Sequence, residues 1–150
     1  MKIIKDKQII EDSWTHVVDS DEITNGDITV SLARWKKEKA ELCDHQGNIG
    51  IRISPADTVE DIATDLKNIK LVAVEFPAFT DGRAFSHTRL LRSRYGYDGE
   101  IRAIGSYMPD QVYYLSRVGV NAFQLENPEQ LELALSTMND FTVKYQVSTN

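Results

Sequence analysis

From Ile28 to Met138 the chain alternates short apolar runs with helix-length segments, and this rhythm limits the fold more than any other feature. Ile28–Leu32, Ile49–Ser54, Leu71–Phe76, Glu100–Ile104 and Ala122–Leu125 have the length and β-branched content of strands. Between and after them lie helical stretches at Ala33–Asp44, Val59–Asn68, Asp81–Tyr95, Asp110–Val118 and Pro128–Met138. The punctuation agrees. Gly96 and Gly119 follow two of the helices, and Pro109 and Pro128 open two others. Ala84, Thr88, Leu91 and Tyr95 recur at the spacing of one helical face. Strands alternating with helices predict repeated βα units, right-handed crossovers and a parallel sheet of about five strands.

The strands also say which kind of sheet. Side chains alternate between faces, so Ile51, Ile53, Val72, Val74, Ile101 and Ala103 share one face. The other then carries Arg52, Glu75, Arg102 and Gln124. A sheet covered by helices on both sides is apolar on both. The expectation is therefore a curved, half-barrel-like α/β sheet, with a flavodoxin-like open sheet as the alternative. Residues 1–150 read as a single α/β domain, with 1–27 an irregular or hairpin N-terminal extension turning at Asp6–Lys7. An open half barrel exposes edges and a concave face, which the N-terminal segment or a second subunit is expected to cover; a homo-oligomer follows from the second choice. The polar tail after Phe141 is expected to fray.

Composition removes several function classes. A net charge of −6 disfavours nucleic acid as the partner. No apolar run approaches the ~20 residues of a membrane span, and the charged N-terminus is unlike a signal peptide, so a cytoplasmic location is expected. The single cysteine, Cys43, leaves no internal disulfide, redox pair or four-thiolate cluster. The three histidines, His16, His45 and His87, lack metal-ligand spacing, and no metal is expected. The tyrosines Tyr113 and Tyr114 and the rings of Phe76, Phe79 and Phe85 read as core and interface.

Candidate site residues come from the strand-to-helix loops, where open α/β sheets place their sites. Thr80 or Asp81 can cap the third helix, and Gly82 allows close approach of a ligand. Arg83 in the first helical turn opposes the helix dipole at a cost of about 0.3–1 kcal/mol when exposed. A carboxylate partner or a bound anion would offset that cost, and both readings stand. Arg89, in the middle of the same helix, joins such an anion site only if its face points there. Arg92 and Arg94, in the last turn, suit the dipole. Arg52, Glu75 and Arg102 on the polar face either form a structural ion-pair ladder or hold a sulfate- or carboxylate-like ligand.

The run from Phe76-Pro77-Ala78-Phe79-Thr80-Asp81-Gly82-Arg83 through Arg89-Leu90-Leu91-Arg92 to Glu126, with IIKDKQIIEDSWTHV and VSLARW upstream, resembles a bacterial family of uncharacterised proteins. That family is assigned to sulfite reduction as oxidoreductases, and its members neighbour sulfate-assimilation reductases. The resemblance implies a pathway, with a sulfite or sulfate-assimilation reductase as partner; it implies no catalytic residue set. Two functions follow as expectations. One is an accessory or assembly protein that binds a small anion without turnover of its own. The other is a small oxidoreductase-related enzyme that uses a borrowed cofactor at the Asp81/Arg83 loop.

Overall fold

The computed structural model of the chain describes residues 1–76 and 82–148, with 140–148 as backbone alone. Eight strands form one mixed sheet in the spatial order β2-β1-β8-β7-β6-β5-β4-β3. They are β1 (Lys2–Lys5), β2 (Gln8–Glu11), β3 (Thr15–His16), β4 (Ile28–Ser31), β5 (Ile49–Ile53), β6 (Leu71–Phe76), β7 (Glu100–Gly105) and β8 (Ala122–Phe123). Strands β3 to β8 are mutually parallel, whereas β1 runs antiparallel to both β2 and β8.

The expectation of a purely parallel five-strand sheet is thus corrected to a mixed eight-strand one. The difference lies before Ile28. Lys2–Glu11 folds as a hairpin on Asp6 and Lys7, both at left-handed φ, and pairs with the free edge of β8. Thr15–His16 pairs with the free edge of β4. Unpaired edge N–H and C=O groups at β8 and β4 are the physical reason these strands are taken up.

Helices α1 (Leu32–Cys43), α2 (Gly82–Arg89), α3 (Val112–Val118) and α4 (Leu131–Ser148) follow β4, β6, β7 and β8, and a 3-10 helix over Val59–Asn68 follows β5. The backbone of α4 continues through Ser148, past the point where fraying was expected, its side chains being described only to residue 139. Ser31 caps α1 by accepting from Arg34 N–H at 3.1 Å. The helices pack on one face only. Trp35, Ile62, Ala84, Leu91, Leu115 and Ala134 join the strand residues Ile28, Val30, Ile51, Ile53, Val72, Val74, Ile101 and Phe123 in the core. Ala84, Thr88 and Leu91 are fully buried and Tyr95 half-buried, as the periodicity implies.

The opposite face is concave. In a flat sheet, β2 and β3 at the two edges would stand about 34 Å apart at ~4.8 Å per strand. Yet only Asp12, Ser13 and Trp14 link them, a span of at most ~14 Å from Glu11 to Thr15. The sheet therefore curls until its edges approach, and this short strap crosses its hollow side. The half-barrel expectation describes this curled sheet.

Candidate functional site

Register builds the concave face. Thr29, Arg52, Leu71, Ala73, Glu75, Glu100, Arg102 and Ala122 fall on it by alternation and pairing. Arg102 lies between Ala73 on β6 and Ala122 on β8, both fully buried, and these small side chains leave room for its long one. The guanidinium is 1% exposed, so its charge must be met inside the protein. Glu100, two residues back on the same face, accepts from Nε at 2.9 Å and contacts Nη2 at 2.8 Å. Asp12 on the strap accepts from Nη1 at 2.9 Å. Lys5 Nζ closes the other side of Glu100 at 3.1 Å.

The chain of contacts continues through His16. Arg52 Nη1 donates to Thr29 Oγ1 at 2.7 Å and to the Thr29 carbonyl at 2.8 Å, and Nη2 donates to the Val17 carbonyl at 2.7 Å. Thr29 Oγ1 sits 2.8 Å from His16 Nδ1, and His16 Nε2 sits 3.3 Å from Asp12 Oδ2. Because Arg52 donates into Oγ1, every group is satisfied when the Thr29 hydroxyl donates to Nδ1 and Nε2–H donates to Asp12. One polar chain then runs Lys5–Glu100–Arg102–Asp12–His16–Thr29–Arg52.

Electrostatics follow from this packing. Burial holds the His16 ring below its usual pKa, and the Arg102 charge adds to the effect against the pull of Asp12. Burial pushes the Asp12 carboxyl up, but hydrogen bonds from Arg102 and from Trp14 N–H outweigh it and leave the group below the usual carboxylate value. Burial likewise lowers Arg52, opposed by Asp19.

Aspartate, histidine and hydroxyl in hydrogen-bonded series are the parts of an activated nucleophile. Thr29, however, has no exposed surface, so no substrate atom reaches its oxygen. The series is a structural latch that ties the strap to β4 and β7. Among the described residues no three His, Cys, Asp or Glu side chains converge as metal ligands, and no helix is long and apolar enough to cross a membrane.

The expected ladder Arg52–Glu75–Arg102 is corrected. Register sets Ala73, not Glu75, level with both arginines. Glu75 lies one step nearer the carboxyl end and is exposed. Its charge acts on Arg52 from there, while Arg102 pairs with Glu100 and Asp12 instead. Sequence reasoning missed Lys5, Asp12, His16 and Thr29. The one local signal was Glu100, which stands at strand spacing two from Arg102.

After β6, which ends at Phe76, the next described residues are Gly82 and Arg83, which begin α2. Thr80 and Asp81 lie outside the described residues. Among the described residues a Cβ on Gly82 would meet nothing within 4 Å, and its φ is not left-handed, so the position does not demand glycine. Arg89 ends α2 about 10 Å along the axis from Gly82 and is exposed, so it is not brought to the helix start. His87 is 7% exposed, with Nε2 3.1 Å from the Ser54 carbonyl at the end of β5 and Nδ1 unpartnered. Arg92 is spent on structure, donating to the carbonyls of Gly119, Tyr97 and Gly99. Tyr114 is exposed and packs edge-on to Tyr113, so that pair is no core; Phe76 and Phe85 pack at 5.4 Å; Phe79 lies outside the described residues.

No curated protein sequence matches the chain. Residues 50–150 match the family described as DUF934, bacterial protein of unknown function. The matched part contains Arg52, Glu100, Arg102 and the start of α2, while Asp12, His16 and Thr29 precede it. With more than half its length matched, the chain belongs to the DUF934 family.

Proposed function

We propose that the protein is a cytoplasmic accessory or assembly protein of assimilatory sulfite or sulfate reduction, and that it offers a small-anion contact at the carboxyl-end mouth of its sheet. The family resemblance described above supplies the pathway. The observation that carries the accessory reading is the closed polar chain from Lys5 to Arg52, which commits the buried charges of the inner face to one another. Chemistry available to a ligand is then concentrated at the mouth, where α2 begins at Gly82 with nothing among the described residues against the position of a Cβ. The positive end of the helix and Arg83 favour an anion there.

A second reading, a small oxidoreductase-related enzyme with a borrowed cofactor at the Asp81/Arg83 loop, draws on His87, whose buried Nδ1 has no partner among the described residues. Two experiments divide these readings. In a strain lacking the gene, slow growth on sulfate rescued by reduced sulfur supports the pathway. Normal growth on sulfate contradicts it. Rescue by a variant with His87→Leu favours the accessory role, and failure of a folded, soluble His87→Leu protein favours the enzyme.

A further inference from the structure

Four of the six large apolar side chains most exposed among the described residues gather at one end of the sheet. Met1 opens β1, Ile10 lies near the end of β2, Val18 follows β3, and Met108 follows β7. Because β1 runs antiparallel to β3–β8 and β2 runs with them, all four positions fall at the carboxyl-end rim. Their exposures are 62%, 38%, 51% and 59%. The first three lie on the two sheet edges that approach each other along a seam: Asp12 N–H donates to the Met1 carbonyl and extends the β1–β2 hairpin, and Arg34 donates to the Val18 carbonyl beyond β3. Scattered single apolar residues need no explanation, but a cluster around a mouth marks an interaction surface.

The charges around the seam choose the occupant. Asp19, Asp21 and Glu22 follow Val18 and outnumber the exposed Lys2 beside Met1, and Glu11 follows Ile10, with its carboxylate on the N-terminal amine. Arg34 is neutralised by Glu38 at 2.9 Å. An apolar patch in an acidic collar repels a second copy of itself and suits a basic surface with apolar anchors.

We propose that the seam at the carboxyl-end rim is a docking surface for a partner protein that presents Lys or Arg residues around an apolar anchor. The proposal rests on the accessory reading and names the surface that reading requires. Its test places a photo-crosslinking residue at Val18, and as control at Leu133 on the helix-covered side, in growing cells. Mass spectrometry then identifies the adduct and its contact peptide. The expected result is one protein captured from Val18 and not from Leu133, through a Lys- or Arg-bearing peptide. With that partner purified, Val18→Asp weakens binding by at least about tenfold, as loss of a central anchor does, and added salt weakens it further. A sulfur-assimilation reductase as the partner upholds both proposals. A different protein with a basic contact peptide keeps the surface and removes the pathway. No adduct, equal capture from Leu133, a second copy of this chain or an acidic contact peptide overturns the docking surface.

Discussion

The contact between Asp12 and Arg102 exists only if the sheet is curled, so a double-mutant cycle on that pair tests the curl. Asp12 directly follows β2, which in a flat sheet stands about 14 Å from β7 at ~4.8 Å per strand; here the two side chains meet at 2.9 Å. Both are nearly inaccessible, at 4% and 1% exposure. Removing one member of a buried pair costs about 3–5 kcal/mol. Asp12→Ala leaves Arg102 its Glu100 contacts and belongs at the lower end, about 3 kcal/mol, or roughly 6–12 °C in Tm for a chain this size. Arg102→Met strands Asp12 with only the His16 ring and the Trp14 N–H, while Glu100 keeps Lys5, and belongs near 4 kcal/mol. The double variant should fall short of additivity by about 2 kcal/mol, since pairs in contact couple and pairs beyond ~10 Å do not. Urea denaturation followed by circular dichroism at neutral pH measures all four proteins. A coupling below about 0.5 kcal/mol would refute the latch and the curl with it.

Acidification should weaken the fold in two stages. The unfolded chain binds a proton at His16 more readily than the folded chain, because burial lowers the folded pKa, so this contribution is full above about pH 6.5 and declines as pH falls below it. Asp12, also lowered, declines next as pH drops through its folded pKa, below the ordinary carboxylate value. A pH series of Tm values should lose the first stage in His16→Gln, and an unchanged profile there would contradict the burial argument. Gly105 holds φ at +98°, where a Cβ would stand 2.5 Å from the Phe76 carbonyl oxygen; Gly105→Ala should cost about 1–3 kcal/mol, read as a lower urea midpoint. Sulfite or sulfate at ten times its Kd should stabilise the wild type by about 1.4 kcal/mol, seen as a thermal shift that Arg83→Ala removes. No shift with either anion counts against the mouth as an anion contact.

The two faces of the sheet were legible because alternation within a strand is local. Ile51, Ile53, Val72 and Val74 could be set against Arg52 and Arg102 without knowing any partner strand. Glu100, two places from Arg102 on the same face, carried a local signal, but the ladder was drawn to Glu75 instead. The latch was not. Asp12 reaches Arg102 across 90 positions of sequence, and nothing in the local pattern of Asp12 or His16 marks them as inward. The ladder failed on register: Arg52, Ala73 and Arg102 align, and Glu75 is one step too far along β6. Periodicity gives which side a residue faces, not which neighbour it meets. The hairpin at Asp6–Lys7 was legible from its own residues, but Thr15–His16 was not, because two residues carry no pattern and gain their place only from the edge of β4. At the mouth, the helix start at Gly82 and Arg83 was readable from strand–loop–helix order, whereas the exposed apolar rim emerges only when antiparallel β1 brings Met1 to the end where Met108 lies.

Both proposals make the carboxyl end of a sheet locked from inside the working end. Amide hydrogen exchange of the chain, alone and with a purified sulfite or sulfate-assimilation reductase, tests it most directly. Docking at that end should slow exchange at Val18–Asp21, Gly82–Arg83 and Ser106–Met108, with no change at the amino-end residues Asn48, Asp98 and Gly99. Protection at those amino-end residues, or no protection anywhere, would contradict it.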